Sequence, residues 1–156
     1  MQVFIMRHGE AEMYASSDAK RELTEQGRQD VANMGLQLAK QIDTLDYALV
    51  SPYMRAQQTW QVLKDILPAC KQVIPMEELI PSGDEVSVAG LIEELAREHT
   101  NANIIVVSHL PLVGYLVEAL CPGAGSPLFS TAAIAQVDLN EEPTLVAVTH
   151  PYMLKN

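Results

Sequence analysis

Residues 103–111 read NIIVVSHLP. Ile104, Ile105, Val106 and Val107 are β-branched without a break, the pattern of a strand buried on both faces rather than one alternating between core and water. A strand covered on both faces needs helices above and below its sheet, so this run predicts α/β architecture. The chain on either side keeps the same rhythm. Gln2 to Met6 is a first strand, Tyr47 to Val50 a second and Gln72 to Ile74 a short third. One helix is expected from Thr24, a good N-cap, to Gln41, with Val31, Met34, Leu36, Leu38 and Ile42 as its apolar face. Another starts at Pro52, carries Ala56, Trp60, Leu63 and Leu67, and stops at Pro68. A third spans Asp84 to His99, with Val88, Leu91, Ile92 and Leu95 at helical spacing, and a fourth opens at Pro111 and ends near Cys121-Pro122-Gly123. Ala132 to Leu139 and Thr144 to Thr149 form a last strand pair, an antiparallel edge turning through Asn140-Glu141-Glu142-Pro143. Strands alternating with helices predict a three-layer α/β sandwich, a mostly parallel mixed sheet with helices on both faces, in one domain spanning residues 1–156.

Composition narrows the function classes. The 156 residues are 48% hydrophobic and 19% charged, with a formal charge of -10. So acidic a chain is a poor non-specific binder of nucleic acid or of an anionic membrane. An anionic substrate stays open, because a few convergent arginines make a local positive pocket. The apolar run after Met1 is too short for a signal peptide, and no stretch is long enough to span a bilayer. Cys70 and Cys121 lie far apart, outside any CxxC pattern, and read as reduced thiols. These features predict a cytoplasmic protein, and with no coiled coil in view a monomer.

In open α/β sheets ligands bind beyond the carboxyl ends of the strands. Here the first strand ends in Arg7-His8-Gly9, the second leads into Ser51-Pro52-Tyr53-Met54-Arg55, and the NIIVV strand ends in Ser108-His109-Leu110-Pro111. Each of these residues has a bland reading when taken alone. Arg7 suits a strand-end salt bridge, Arg55 a solvated helix position, and a lone histidine is more often a satisfied structural residue than a catalyst. That bland reading fits His99 and His150. Coincidence on three strand ends favours an anion site for Arg7, His8, Arg55 and His109. Helix N-termini beside them add unsatisfied N–H groups.

The chain carries no GxxxxGK[ST], GxGxxG or HExxH pattern and no Asp/Glu/His cluster around His8, so neither a nucleotide cradle nor a metal or other cofactor is expected. The nucleophile that remains is an imidazole, mostly unprotonated at pH 7 with a pKa of about 6.5. Attack on phosphorus gives a phosphohistidine intermediate. Arg7 and Arg55 then bind the phosphoryl oxygens, and Gly9 lets the backbone approach the phosphoryl group closely.

These residues resemble the histidine phosphatase, or phosphoglycerate mutase-like, superfamily. Its hallmark RHG stands here as Arg7-His8-Gly9, its SPxxRAxxT motif as Ser51 to Thr59, and its late strand with a pocket histidine as Val107-Ser108-His109. The resemblance covers nearly the whole chain. Within the superfamily the short length, the segment Ser17 to Gly27 and the segment Ser108 to Tyr115 are most similar to its small bacterial phosphohistidine phosphatases. It implies that His8 is the transiently phosphorylated nucleophile, that Arg7, Arg55 and His109 complete the phosphate pocket, and that the partner is a phosphohistidine-bearing signalling protein such as the phosphotransfer domain of a two-component sensor kinase. Larger members carry a glutamate acid in an insertion that is short here, between Leu67 and Glu85. Glu77, Glu78, Asp84 and Glu85 lie there outside any matched motif. An imidazole leaving group can take its proton from solvent, which favours phosphohistidine over small phosphoesters.

Arg21 and Asp18 are secondary candidates on the loop after His8. Arg21 adds charge to the pocket or touches the partner, and Asp18 orients a water or a proton; the bland alternative is a solvated Asp–Arg pair. Two rival functions remain in view, a small-molecule phosphatase or phosphoglycerate mutase-like enzyme, and a phosphohistidine-binding module without turnover.

Overall fold

The computed structural model describes residues 1–154. Six strands form one sheet: β1 (Gln2–Arg7), β2 (Leu45–Val50), β3 (Cys70–Pro75), β4 (Asn103–Ser108), β5 (Ile134–Asp138) and β6 (Thr144–Thr149). Four helices connect them: α1 (Glu25–Ala39), α2 (Met54–Lys64), α3 (Glu85–Glu98) and α4 (Leu112–Leu120). The strands lie in the order β3-β2-β4-β1-β5-β6. β1, β2, β3 and β4 are mutually parallel, while β5 pairs antiparallel with β1 and β6 antiparallel with β5. β6 therefore runs in the direction of β1, and β5 alone opposes the rest.

Alternate side chains of each strand feed two cores. Val3, Ile5, Leu49, Ile104 and Val106 pack with Val88, Ile92, Val113 and Leu116 of α3 and α4. Phe4, Met6, Ala48, Val50, Ile105 and Val107 pack with Val31, Met34, Trp60 and Leu63 of α1 and α2. Helices thus cover both faces, as the NIIVV run requires. Ile104 to Val107 are fully buried, and each such side chain contributes roughly 1.5–3 kcal/mol. Among the described residues no helix is long and apolar enough to cross a membrane.

Several boundaries differ from expectation. α2 starts two residues after Pro52, because Tyr53 is extended with ψ 143° and its N–H donates to Ser51 Oγ in a local turn at 3.3 Å. It ends at Lys64, so Leu67 fills the core from the following loop. α4 starts at Leu112, with Pro111 as its N-cap. Leu36 is exposed, since it sits about 200° around the helix from both Met34 and Leu38. β5 starts at Ile134 rather than Ala132. Ala132 has φ 65° and turns its N–H back onto the carbonyls of Arg7 and His8, at 3.1 and 2.9 Å. A non-glycine residue there is strained, and this one lies directly behind the nucleophile position.

Strand register then assembles the site. Arg7 lies opposite Ser108 in the β1–β4 pair, so His8 and His109 leave the sheet side by side. Val50 lies opposite Val107, which brings Ser51 to the same edge.

Candidate active site

His8 follows β1 and is 6% exposed. Its backbone N–H donates to Ser108 O at 3.0 Å, and its ring Nδ1 lies 2.7 Å from Gly9 O. A carbonyl only accepts, so Nδ1 carries the proton and Nε2 is left as a lone pair. Arg55 Nε donates to that Nε2 at 3.2 Å. The His8 pKa is pushed down to about 4, chiefly by burial and further by the positive charges of Arg55, Arg7 and Arg21, against the opposing bond to Gly9. At pH 7 the ring is neutral, with its free nitrogen aimed at a guanidinium.

His109 lies beside it, ring centroids 5.0 Å apart. Its Nε2 is 2.7 Å from Ser51 Oγ. Ser51 Oγ accepts the Tyr53 N–H, and among the described residues its own hydrogen finds its acceptor in Nε2, so the hydroxyl donates to the ring and the proton of His109 sits on Nδ1. Burial, followed by the charges of His8 and Arg55, lowers the His109 pKa to about 2. The Tyr53 ring meets His109 edge-on at 5.2 Å and lies beneath the Arg55 guanidinium at 5.1 Å, so one side chain braces both.

Arg7 donates through one terminal nitrogen to Phe129 O at 2.9 Å. Burial and the nearby Arg55 hold its guanidinium below the ordinary arginine range. Among the described residues, the buried side-chain nitrogens and oxygens without a partner are Arg7 Nε and His109 Nδ1. Both are donors, both belong to this cluster, and each costs about 1–3 kcal/mol if left unpaired. An oxyanion supplies the acceptors both need.

Asp18 joins the site through Arg55. One terminal nitrogen of Arg55 donates to Asp18 O at 2.7 Å and the other to Asp18 Oδ2 at 3.3 Å. Arg21 holds Asp18 Oδ1 at 3.1 Å and donates through Nε to Glu12 O at 2.7 Å. The bonds from Arg21 and the charge of Arg55 keep the Asp18 carboxyl below its usual range. The expected Asp18–Arg21 pair is present, but it is anchored to Arg55 rather than merely solvated. Arg21 stands one residue removed, acting through Asp18. Among Glu77, Glu78, Asp84 and Glu85, Asp84 is the N-cap of α3, accepting the N–H groups of Val86 and Ser87.

Three contacts in the site have no local trace in the motifs. Ser51 opens the SPxxRAxxT motif, and its bond to His109 spans 58 residues of chain. Thr59, eight positions on, accepts the Gly9 N–H at 3.1 Å and donates to Arg55 O at 2.8 Å, lacing the first two motifs together. Gly9 meets α1 closely: a Cβ there would lie 2.8 Å from both Gly27 O and Val31 Cγ2. Its missing side chain admits the helix. His99 and His150 lie outside the cluster, as expected; His99 sits beside Tyr47 and Glu98, and His150 Nδ1 is 2.8 Å from Ser130 Oγ.

Comparison with known proteins agrees with this geometry. Residues 3–80 match the histidine phosphatase superfamily (branch 1). The chain is 46% identical over 143 residues to the phosphohistidine phosphatase SixA of Escherichia coli (strain K12), covering 90% of this chain and 87% of that protein. It is 38% identical over 161 residues to the phosphohistidine phosphatase SixA homolog of Haemophilus influenzae, covering 97% of each. The structure of the protein histidine phosphatase SixA complexed with tungstate superimposes with a TM-score of 0.94 at 43% identity, over 99% of this chain and 100% of that one.

Proposed function

The chain belongs to the histidine phosphatase superfamily, and on that premise we propose that it is a phosphohistidine phosphatase, a metal-independent hydrolase acting on a histidine of a signalling phosphotransfer domain. The relatives at 46% and 38% identity carry that activity in their names. The observation that carries the reading for this chain is the state of His8. Its Nδ1 proton is tied to Gly9 O, its Nε2 lone pair is free of a proton, and Arg55 Nε stands 3.2 Å away.

In the first displacement Arg55 Nε turns from His8 Nε2 to a phosphoryl oxygen, and the freed Nε2 lone pair attacks phosphorus. The Nε2–P bond forms as the P–N bond of the substrate histidine breaks, and the departing imidazole keeps the electron pair and takes a proton from water. In the second, a water oxygen attacks phosphorus, the Nε2–P bond breaks with its electrons returning to His8, and inorganic phosphate leaves. Arg7 Nε, His109 Nδ1–H and the Arg55 guanidinium hold the phosphoryl oxygens, and their charges stabilise both transition states. For Arg55 to do so, Asp18 must yield at least one of its two contacts to a phosphoryl oxygen. The Gly9 carbonyl keeps the Nδ1 proton in place and so the attacking nitrogen in line, which lowers the entropy cost of attack. No proton donor of carboxylic type is required, because the free ring nitrogen of the phosphorylated histidine takes its proton from solvent, and the neutral imidazole that departs is a far better leaving group than an alkoxide.

Trapping the intermediate tests this. With a 32P-phosphorylated phosphotransfer domain and an alkaline quench, label is expected on His8 and on no other residue. His8→Ala should retain no label and lose phosphate release by more than about a thousandfold. Chelators should leave the rate of the unaltered protein unchanged. Steady phosphate release by His8→Ala overturns the nucleophile, and inhibition by EDTA overturns the metal-free reaction.

A further inference from the structure

Each of the three site arginines is flanked by an exposed apolar side chain. Arg21 is anchored on the carbonyl of Glu12, and the next residue, Met13, is 78% exposed. Arg7 is anchored on the carbonyl of Phe129, and the residue before it, Leu128, is 84% exposed. Arg55 is preceded directly by Met54, 39% exposed. These side chains do not belong to the two cores that build the fold.

The loop that carries Met13 is pinned at its neck rather than loose. Ala11 bridges Leu23, Glu12 N donates to Glu22 O at 2.8 Å, and Asp18 reaches across to Arg55. Leu128 is held likewise, since its neighbour Phe129 is buried and takes Arg7. Apolar groups held on anchored backbone beside a charged pocket favour a partner that covers them, because their burial is gained without ordering the loop that carries them.

We propose that Met13, Met54 and Leu128 form an apolar docking rim for a protein partner whose phosphohistidine is flanked by apolar side chains. This rests on the phosphohistidine phosphatase reading and goes further by saying how the partner is held. Free phosphate or a free phosphoramidate engages only the arginines and imidazoles, and gains nothing from three apolar residues outside them. His8, Arg55 and His109 are buried, so a phosphohistidine carried on a protein reaches them by projecting from its surface, and the surface around that side chain then meets the rim. Charge fits the same occupant. The chain carries a net charge of -10, so an anionic group is drawn to it locally by Arg7, Arg21 and Arg55, and the rest of the contact has to come from apolar burial. Two of the three rim residues are methionines, whose flexible thioethers adapt to an irregular partner face.

The test compares two substrates on one enzyme. Met13→Gln, Met54→Gln and Leu128→Gln, singly and combined, are assayed on a phosphorylated phosphotransfer domain and on free phosphohistidine. For the triple variant KM on the protein substrate should rise at least tenfold, about the effect of losing one interface anchor, with kcat held. Turnover of free phosphohistidine should stay at the wild-type rate. Equal losses on both substrates overturn the rim as a docking device, because they show a structural role. An unchanged KM on the protein substrate overturns it as well. Wild-type sedimentation as a dimer that the triple variant converts to monomer assigns the rim to a second copy of this chain and overturns the partner. If the unaltered enzyme turns over neither substrate, the activity itself is wrong and the rim proposal goes with it; wild-type turnover of both substrates leaves the rim outcomes readable on their own.

Discussion

At the amino ends of β2 and β4, Asp46 pairs with Lys71 at 2.8 Å and also accepts the Asn103 N–H at 2.9 Å. His99 lies near them against Tyr47, and both the lysine and the histidine side chains are largely in water. At the carboxyl ends of the same strands stand Ser51 and His109, with His8 next to them at the end of β1. There the imidazoles are buried and held neutral, while Arg7 and His109 each keep an unpaired buried donor. Both ends collect histidine, cation and acid. One end spends every charge on a neighbour or on solvent, whereas the other holds donors in reserve. Residue type is therefore a poor guide to the site, and the reserve of unpaired buried donors is a good one.

The sharpest way to break this contrast is Arg55→Ala. It removes the donor facing His8 Nε2, and should lower kcat on the order of 100-fold by analogy with the loss of an oxyanion donor. A normal rate would remove Arg55 from the site. Acid stability comes next. The unfolded chain takes up a proton at each site histidine near pH 6.5, whereas the folded chain declines it until about pH 4 at His8 and about 2 at His109. Protons thus favour the unfolded state, and stability falls as pH drops below about 6.5, at up to about 1.4 kcal/mol per pH unit for each histidine. Denaturant unfolding at pH 7 and pH 5 measures the slope, and His109→Gln should show a shallower one than the unaltered protein. Equal slopes would mean that His109 is not held neutral by the fold.

Ser51→Ala is subtler. It leaves His109 Nε2 without its partner at a cost of about 1–3 kcal/mol, and lets the ring proton move off Nδ1. Thermal unfolding should register the first effect. A fall in kcat on the order of tenfold, restored by Ser51→Thr, should register the second. Loss of stability with full kcat would make Ser51 a structural residue only. The smallest effect belongs to the other end of the sheet. Lys71→Ala breaks an ion pair whose lysine is 70% exposed, and exposed pairs contribute little. Turnover should be unchanged and the melting temperature nearly so; a large loss of activity would show that the two ends are coupled.

Much of this was legible in the sequence. Alternation of strand and helix patterns, the doubly buried NIIVV run and three chemically loaded strand ends were enough to expect the three-layer sandwich. They were also enough to single out Arg7, His8, Arg55 and His109, which the structure gathers within hydrogen-bond or ring-contact distance of one another or, for Arg7, close enough to depress the His8 pKa. Helix starts were less legible. Pro52 and Pro111 carry the right φ for a first helical position, but the Tyr53 N–H bond to Ser51 Oγ moves the start of α2 two residues downstream, and Pro111 serves as the N-cap of α4. The close approach expected at Gly9 is present and α1 takes part in it, a neighbour out of reach of the local pattern because a sequence shows that space is needed without showing what fills it.

The sequence by itself determined which residues end each strand and which chemistry they offer, because periodicity and turn signals act over a few residues and leave a local trace. Tertiary structure alone decided that Ser51 sets the proton on His109, that Asp18 occupies the Arg55 fork, and that Thr59 ties Gly9 to α2. Those contacts join residues 58, 37 and 50 positions apart. They exist only once the sheet's strand order and register are fixed, and register is set by the packing of two whole cores rather than by any short stretch of chain.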